Sequence, residues 1–380
     1  MTNKFTPATT EDYRQLAEKR LPTFLYDYIA GGANDEITMA ANVSDFRKLC
    51  LTQQVMRDVS KVDTSTHLSG YAASMPMALA PVGMAGMMAR RGEIQGAKAA
   101  ETVGVPFTCS TVGICSVEEI NAATHSPFWF QLYMLHDRDA VLSILERARA
   151  VGCDTLIFTV DLAVPGVRHR DRRNRMGTAG LTTLAQVVTR PRWAVDVGLM
   201  GKPHTLGNLT EVVEDASSLT GYQNFINDQF DTSVTWKDIA WLRSVWPGKL
   251  IIKGVLEDND ARQARDAGAD GVVVSNHGGR QLDSVASSIA KLPAVAAAVG
   301  DQIEVYMDGG VRNGIDVVKA VALGARGVLI GRPWVWAIAA RKEAGLTALL
   351  NTFQKEIAVA MALMGVNNIS EIHRGLIHNR

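Results

Sequence analysis

Short apolar runs recur along the chain at residues 75–82, 105–111, 128–133, 155–161, 249–255, 271–277, 304–310 and 327–332. Each is apolar on both faces rather than on alternate positions, as in parallel strands covered by helices. Amphipathic stretches at 137–151, 258–267 and 313–323 lie between them. Asp137, Asp258 and Asn313 are placed to cap these helices, and Gly152, Gly268 and Gly324 to end them.

Most runs follow one another at ~20–35 residues, the length of one strand–helix unit. Eight such units predict an α/β fold, a closed (β/α)8 TIM barrel rather than an open sheet. The interval from Asp161 to Lys249 exceeds one unit by roughly 60 residues, so an insertion follows the fourth strand. The expected organisation is one domain over 1–380, with an N-terminal extension at 1–70 and an insertion or lid at 172–235.

Composition adds exclusions. With 39 basic and 39 acidic residues, no overall field favours nucleic acid. Cys50, Cys109, Cys115 and Cys153 form no C-x-x-C pair and no zinc spacing, so free thiols and no metal are expected. The first residues lack a signal-peptide core, and no uncharged apolar stretch reaches the ~18 residues of a membrane span. The expected location is the cytoplasm.

In a barrel, reacting groups sit at the C-terminal strand ends. Polar residues gather there: Ser110 and Thr111, Gln131 and Tyr133, Thr159 and Asp161, Lys253, Ser275 to Arg280, Asp308 to Arg312, and Gly331 with Arg332. Glycines beside Arg312 and Arg332, at the last two strands, suit a phosphate, held by backbone N–H groups and guanidinium forks. No strand–GxGxxG–helix unit with a downstream acid points to NAD. His277 is the candidate base, Asp161 a carboxylate to orient it, and Arg280 a clamp for a substrate carboxylate. Lys253, charged within an apolar strand, needs an anionic partner.

These residues resemble the FMN-dependent family that oxidises 2-hydroxy acids. The telling stretch is Ser275-Asn276-His277-Gly278-Gly279-Arg280-Gln281-Leu282-Asp283. Asp308-Gly309-Gly310-Val311-Arg312, Gly331-Arg332 and the N-terminal Leu21-Pro22, Tyr26-Asp27-Tyr28 and Gly31-Gly32-Ala33 add to it. The resemblance implies FMN as cofactor and His277 as the base, supported by Asp161. It implies that Arg168 and Arg280 bind the substrate carboxylate, with hydroxyls from Tyr28 and Tyr133. Pro81, Val82 and Gly83 would lie against the flavin ring, and Ser110, Gln131, Thr159, Lys253 and Ser275 would meet its polar edge. Asp308, Gly309, Gly310, Arg312, Gly331 and Arg332 would hold the ribityl chain and phosphate. Whether the α-hydrogen leaves as hydride or by a carbanion route stays open.

Segments 80–83, 89–93 and 193–199 resemble the family's bacterial L-lactate dehydrogenases. That implies L-lactate or a related small L-2-hydroxy acid as substrate, a quinone or other acceptor, and a homo-tetramer. A hydrogen peroxide-forming oxidase and a mandelate-type dehydrogenase are the alternatives. Val112 and Gly83 depart from the glycolate oxidase pattern, where tryptophan and alanine stand. From Arg168 to Arg192 there are seven arginines and one acid, followed by Trp193, Val195, Val197, Leu199 and Met200. This predicts peripheral contact with the inner face of the cell membrane; a solvated lid is the alternative.

Overall fold

The computed structural model describes residues 6–174, 180–210 and 229–379. At its centre stand eight parallel strands: β1 (Met77–Leu79), β2 (Thr108–Ser110), β3 (Trp129–Leu132), β4 (Thr155–Thr159), β5 (Lys249–Val255), β6 (Gly271–Val274), β7 (Glu304–Asp308) and β8 (Gly327–Ile330). Each pairs with its neighbour in sequence from β2 to β8, and β8 pairs with β1. A parallel bridge between Leu79 and Phe107 closes the ring. The predicted barrel is therefore present, and each predicted run contains one strand. The first is shorter than its run because Pro76 and Pro81 flank it and have no N–H to give to the ladder.

Strand alternation explains why both faces are apolar. Ala78, Trp129, Ile157, Ile251, Val273, Tyr306 and Leu329 pack together inside the barrel. Leu79, Phe130, Phe158, Ile252, Val274, Met307 and Ile330 turn outward to the helices. Each large side chain fully buried this way contributes ~1.5–3 kcal/mol relative to exposure. Trp129 and Tyr306 meet edge to face with ring centroids 6.0 Å apart.

The floor of the barrel is closed by a hairpin, Thr66–Leu68 with Tyr71–Ala73, for which the sequence reading predicted no element. Leu68 enters the inner core. Ser69 donates from its N and Oγ to Glu304, and its Oγ lies 2.9 Å from the Tyr306 hydroxyl. The hairpin covers this end of the barrel, opposite the C-terminal strand ends.

Helices Gly92–Val103, Arg138–Ala150, Asp258–Asp266, Ser288–Val299 and Gly314–Ala322 are among those that cover the barrel. Asp137 and Asn313 cap theirs as expected. Asp258 does not: Glu257 is the N-cap, and Asp258 is the first helical residue. An acid there still meets the helix dipole favourably. Gly152, Gly268 and Gly324 follow their helices in the left-handed region, at φ 86°, 93° and 103°.

Helices Thr10–Arg20, Thr23–Ala30 and Ile37–Ser44 precede the hairpin. Thr9 and Asp12 form a capping box that starts the first. The link after Thr23–Ala30 crosses the barrel mouth, where Ala33 N donates to Gly279 O at 2.8 Å and Asn34 N to Val167 O at 2.8 Å. Between β4 and β5 lie helices His169–Arg173 and Leu181–Val188, then a turn at Pro191–Trp193 leading into a π-helical stretch, Ala194–Leu199. Parts of the expected insertion, 175–179 and 211–228, lie outside the described residues. The expected apolar surface there needs correction. Trp193 and Val197 turn inward, 4% and 0% exposed, and Trp193 Nε1 donates to Met87 O at 2.9 Å. A buried indole needs such a partner. Val195, Leu199 and Met200 do face outward.

Candidate active site

The C-terminal strand ends open into a cavity of about 1040 Å3. One end is built by the turns after β7 and β8. Gly309 and Gly310 have φ of 90° and 88°, and a Cβ on Gly310 would stand 1.9 Å from Asn42 O. Only glycine fits that turn. Arg312 and Arg332 line this end. Enclosure in protein pushes the Arg312 guanidinium down to about 10, against the pull of Asp316 and Glu11. Burial lowers Arg332 further, and the like charges of Arg280 and Arg312 add to it. Two disfavoured cations on one cavity wall make a site for an anion.

Their hydrogen bonding differs. Arg332 spends its donors on main-chain carbonyls: Nε on Ile29 at 2.9 Å, Nη1 on Gly278 at 2.8 Å and Nη2 on Gly31 at 2.8 Å. These bonds tie its guanidinium to the N-terminal link and to the turn after β6. Arg312 gives Nη1 to Val311 O at 2.8 Å and lies over the Trp336 ring, 5.4 Å from its centroid.

In the middle, polar atoms are buried without partners. Gln131 Nε2, Thr159 Oγ1 and Asp308 Oδ1 have none among the described residues. Each such atom costs ~1–3 kcal/mol unless a ligand satisfies it. Their other atoms are fixed: Ser110 Oγ donates to Gln131 Oε1 at 2.9 Å, and Lys253 Nζ meets Asp308 Oδ2 at 3.0 Å and Ser275 Oγ at 3.1 Å. Burial lowers the Lys253 ammonium, but Asp308 and Asp161 outweigh it and raise it overall. Thr159, Lys253 and Asp308 line the cavity, with Pro81, Val82 and Gly83 also on its wall. Ser110, Gln131 and Ser275 do not line it and sit fully enclosed at strand ends.

At the other end, His277 stands on the wall with φ 57°, a left-handed backbone after β6. Its Nδ1 lies 2.8 Å from Asp161 Oδ1. Asp161 is off the wall. Room for it comes from β5, whose register shifts between Lys253 and Val255 around Gly254. A Cβ on Gly254, at φ 109°, would come within 2.6 Å of Asp161. The glycine inside the run KLIIKGV was the signal for this bulge. Burial pushes the Asp161 carboxyl up, yet the charges of His277 and Lys253 bring it below its ordinary value.

Two guanidiniums lie over the Tyr28 ring, that of Arg280 at 5.0 Å and that of Arg168 at 5.8 Å from its centroid. Arg280 Nη1 donates to Gly31 O at 3.0 Å. Tyr133 stacks on Phe230 with centroids 4.9 Å apart. Burial, and then Asp161 and Tyr28, push its hydroxyl far above the usual range, so it is a neutral donor. The structure therefore gathers Tyr28, Tyr133, Arg168, His277 and Arg280 around one cavity. Sequence reasoning missed two neighbours. Asp171, 3.5 Å from Arg168, was visible as the lone acid of an arginine-rich stretch. Phe230, inside the insertion, gave no signal.

Residues 17–379 match the model of a family described as FMN-dependent dehydrogenase. The chain belongs to that family. This FMN-dependent dehydrogenase is similar to proteins named L-lactate dehydrogenase. One from Caulobacter vibrioides is 53% identical, over 98% of this chain and 98% of its own length. One from Alcaligenes faecalis is 49% identical, over 97% and 98%. The crystal structure of the monotopic membrane protein (S)-mandelate dehydrogenase superposes with a TM-score of 0.94 at 36% identity, covering 99% of this chain and 100% of that one. A mandelate oxidase gives 0.84 at 35%, covering 99% of each. The cofactor is FMN, and the site fits it: the unpartnered Thr159 and Asp308 atoms on the cavity wall suit polar groups, and the arginine-lined turn suits a phosphate.

Proposed function

We propose that this enzyme oxidises L-lactate, or a related small L-2-hydroxy acid, to the 2-oxo acid. The carrying observation is that His277, held from behind by Asp161, lines the same cavity as Arg280 and Arg168. Arg168 and Arg280 hold the carboxylate, with Tyr28 beside them. The hydroxyl then lies toward His277, whose second ring nitrogen takes the proton, and Asp161 stabilises the imidazolium. Tyr133 donates to the carboxylate or the reacting oxygen. Bound FMN supplies the acceptor for the two electrons and the α-hydrogen.

The cofactor-holding roles fall to the cavity wall and to the strand ends just behind it. Arg312 and the backbone of Gly309, Gly310 and Gly331 take the phosphate, in the field of Arg332. Asp308 takes the ribityl chain, and Ser110, Gln131, Thr159 and Ser275 serve the polar edge of the ring. Lys253 offsets negative charge there, and Pro81, Val82 and Gly83 back the ring face. Anaerobic L-lactate bleaches the yellow protein in this reading. His277→Ala stays yellow and does not bleach; bleaching at the unmodified rate would sink the assignment. The structural likeness to mandelate dehydrogenase supports a second reading, an aryl 2-hydroxy acid as substrate, which a panel of 2-hydroxy acids separates.

The same reading includes a quinone acceptor, a homo-tetramer and a cytoplasmic enzyme resting on the inner face of the cell membrane. No helix among the described residues is long and apolar enough to cross a membrane. Helix Leu181–Val188 buries none of its residues, and Leu181, Leu184 and Val188 on it are 86%, 58% and 67% exposed. Val195, Leu199 and Met200 add to this apolar surface. A basic segment beside it suits an anionic bilayer. Replacing Leu181, Leu184 and Val188 by serine is expected to release the protein from anionic vesicles. Oxygen uptake compared with reduction of a quinone analogue separates a dehydrogenase from an oxidase. The mass in solution tests for four chains of 41.1 kDa.

A further inference from the structure

Behind the substrate end lies a second chamber of about 300 Å3, walled by Met134, Phe158, Val160, Val234, Trp236 and Ile239. Tyr133, Thr159, Leu162 and Phe230 border both spaces. We propose that the Phe230 ring is the partition that limits how large a 2-hydroxy acid side chain the site accepts. This rests on the reading of the site as a 2-hydroxy acid dehydrogenase.

The other walls are committed. Arg168 and Arg280 beside Tyr28 take the carboxylate end, and His277 marks the hydroxyl. Apolar lining residues not committed to those groups include Val112, Leu162 and Phe230, with the ring of Tyr133. Thr159 belongs to β4, and Tyr133 N is fixed to Thr111 Oγ1 at 3.1 Å. Phe230 stands on the loop that precedes helix Trp236–Val245.

That loop is anchored beside the ring. Leu135 and Phe230 form an antiparallel bridge, His136 N donates to Gln229 O at 2.9 Å, and Asp231 N donates to Met134 O at 3.0 Å. Arg138 Nη2 holds Asp231 Oδ2 at 2.6 Å. The ring is 5% exposed and nearly parallel to Tyr133, at 29°. A side chain pinned this way acts as a wall rather than a swinging lid, and an apolar wall discriminates by size, at ~1–3 kcal/mol per methylene.

The test is Phe230→Ala, assayed with L-lactate, L-2-hydroxy-4-methylpentanoate and L-mandelate. The expected result is a rise of at least ~10-fold in kcat/KM for the larger acids relative to L-lactate, or ~1.4 kcal/mol. Inhibition by 4-methyl-2-oxopentanoate should strengthen relative to pyruvate in the same way. If Phe230 only supports the fold, all substrates weaken together and the ratio is unchanged, which overturns the proposal. Phe230→Leu, closer in volume, reads the same ratio if the alanine variant loses its flavin. An unmodified, flavin-loaded enzyme inactive on every 2-hydroxy acid would instead overturn the functional reading itself.

Discussion

His277 Nδ1 lies 2.8 Å from Asp161 Oδ1, so one ring nitrogen is committed to a carboxylate and the other is left for chemistry. Asp161→Asn keeps the shape but loses the charge that stabilises the imidazolium. A fall in kcat of ~10²–10⁴ is expected from stopped-flow flavin reduction. The charges of His277 and Lys253 hold the Asp161 carboxyl below the ordinary aspartate value. Its pairing therefore stabilises the fold above that value and is lost as pH falls through the lowered one. Melts should show the unmodified protein losing its advantage over the variant only in strong acid.

The barrel was legible because strand identity depends on local apolar runs and their spacing, and those survive tertiary context. The wall residues were legible for a related reason, since strand ends fix where polar side chains emerge. The hairpin under the barrel was not, because Leu68 and Ser69 gain their role only from distant Glu304 and Tyr306. Arg332 shows the opposite limit. Its position was readable, but its bonding to the carbonyls of Ile29, Gly31 and Gly278 depends on where the N-terminal link crosses.

Arg312 stands in an enclosure that depresses its charged form. Replacement by methionine removes that penalty in the free protein and a charged partner in the bound one. FMN affinity, read by quenching of flavin fluorescence, should fall ~10–100-fold, as for a lost charge-assisted hydrogen bond. Thermal stability without FMN should not fall. Unchanged affinity would remove Arg312 from the phosphate site.

Lys253 and Asp308 are a buried pair at 3.0 Å. Lys253→Met strands the Asp308 carboxylate and should cost ~3–5 kcal/mol in urea unfolding. The double variant Lys253→Met/Asp308→Asn should recover most of that loss. No recovery would mean that the lysine acts through packing rather than charge.

If Arg168 binds the substrate carboxylate as proposed, Asp171 is its competitor for that guanidinium. Its carboxylate lies 3.5 Å from that guanidinium and lines the same cavity. Burial raises its pKa, while Arg168 and Arg280 pull the other way without cancelling the rise. A group raised above its unfolded value contributes most below that value, and the contribution is lost as pH rises through the folded one. Asp171→Asn should therefore stabilise the protein at neutral pH, with the gain vanishing in acid. It should also release Arg168 for the substrate carboxylate. KM for L-lactate should drop ~3–10-fold with kcat nearly unchanged, the mark of uniform binding restored. In the unmodified enzyme the same release happens as Asp171 is protonated, so KM should decline toward acid pH. That decline should be absent from the asparagine variant. A KM that rises on substitution would show instead that Asp171 orients Arg168 for the substrate.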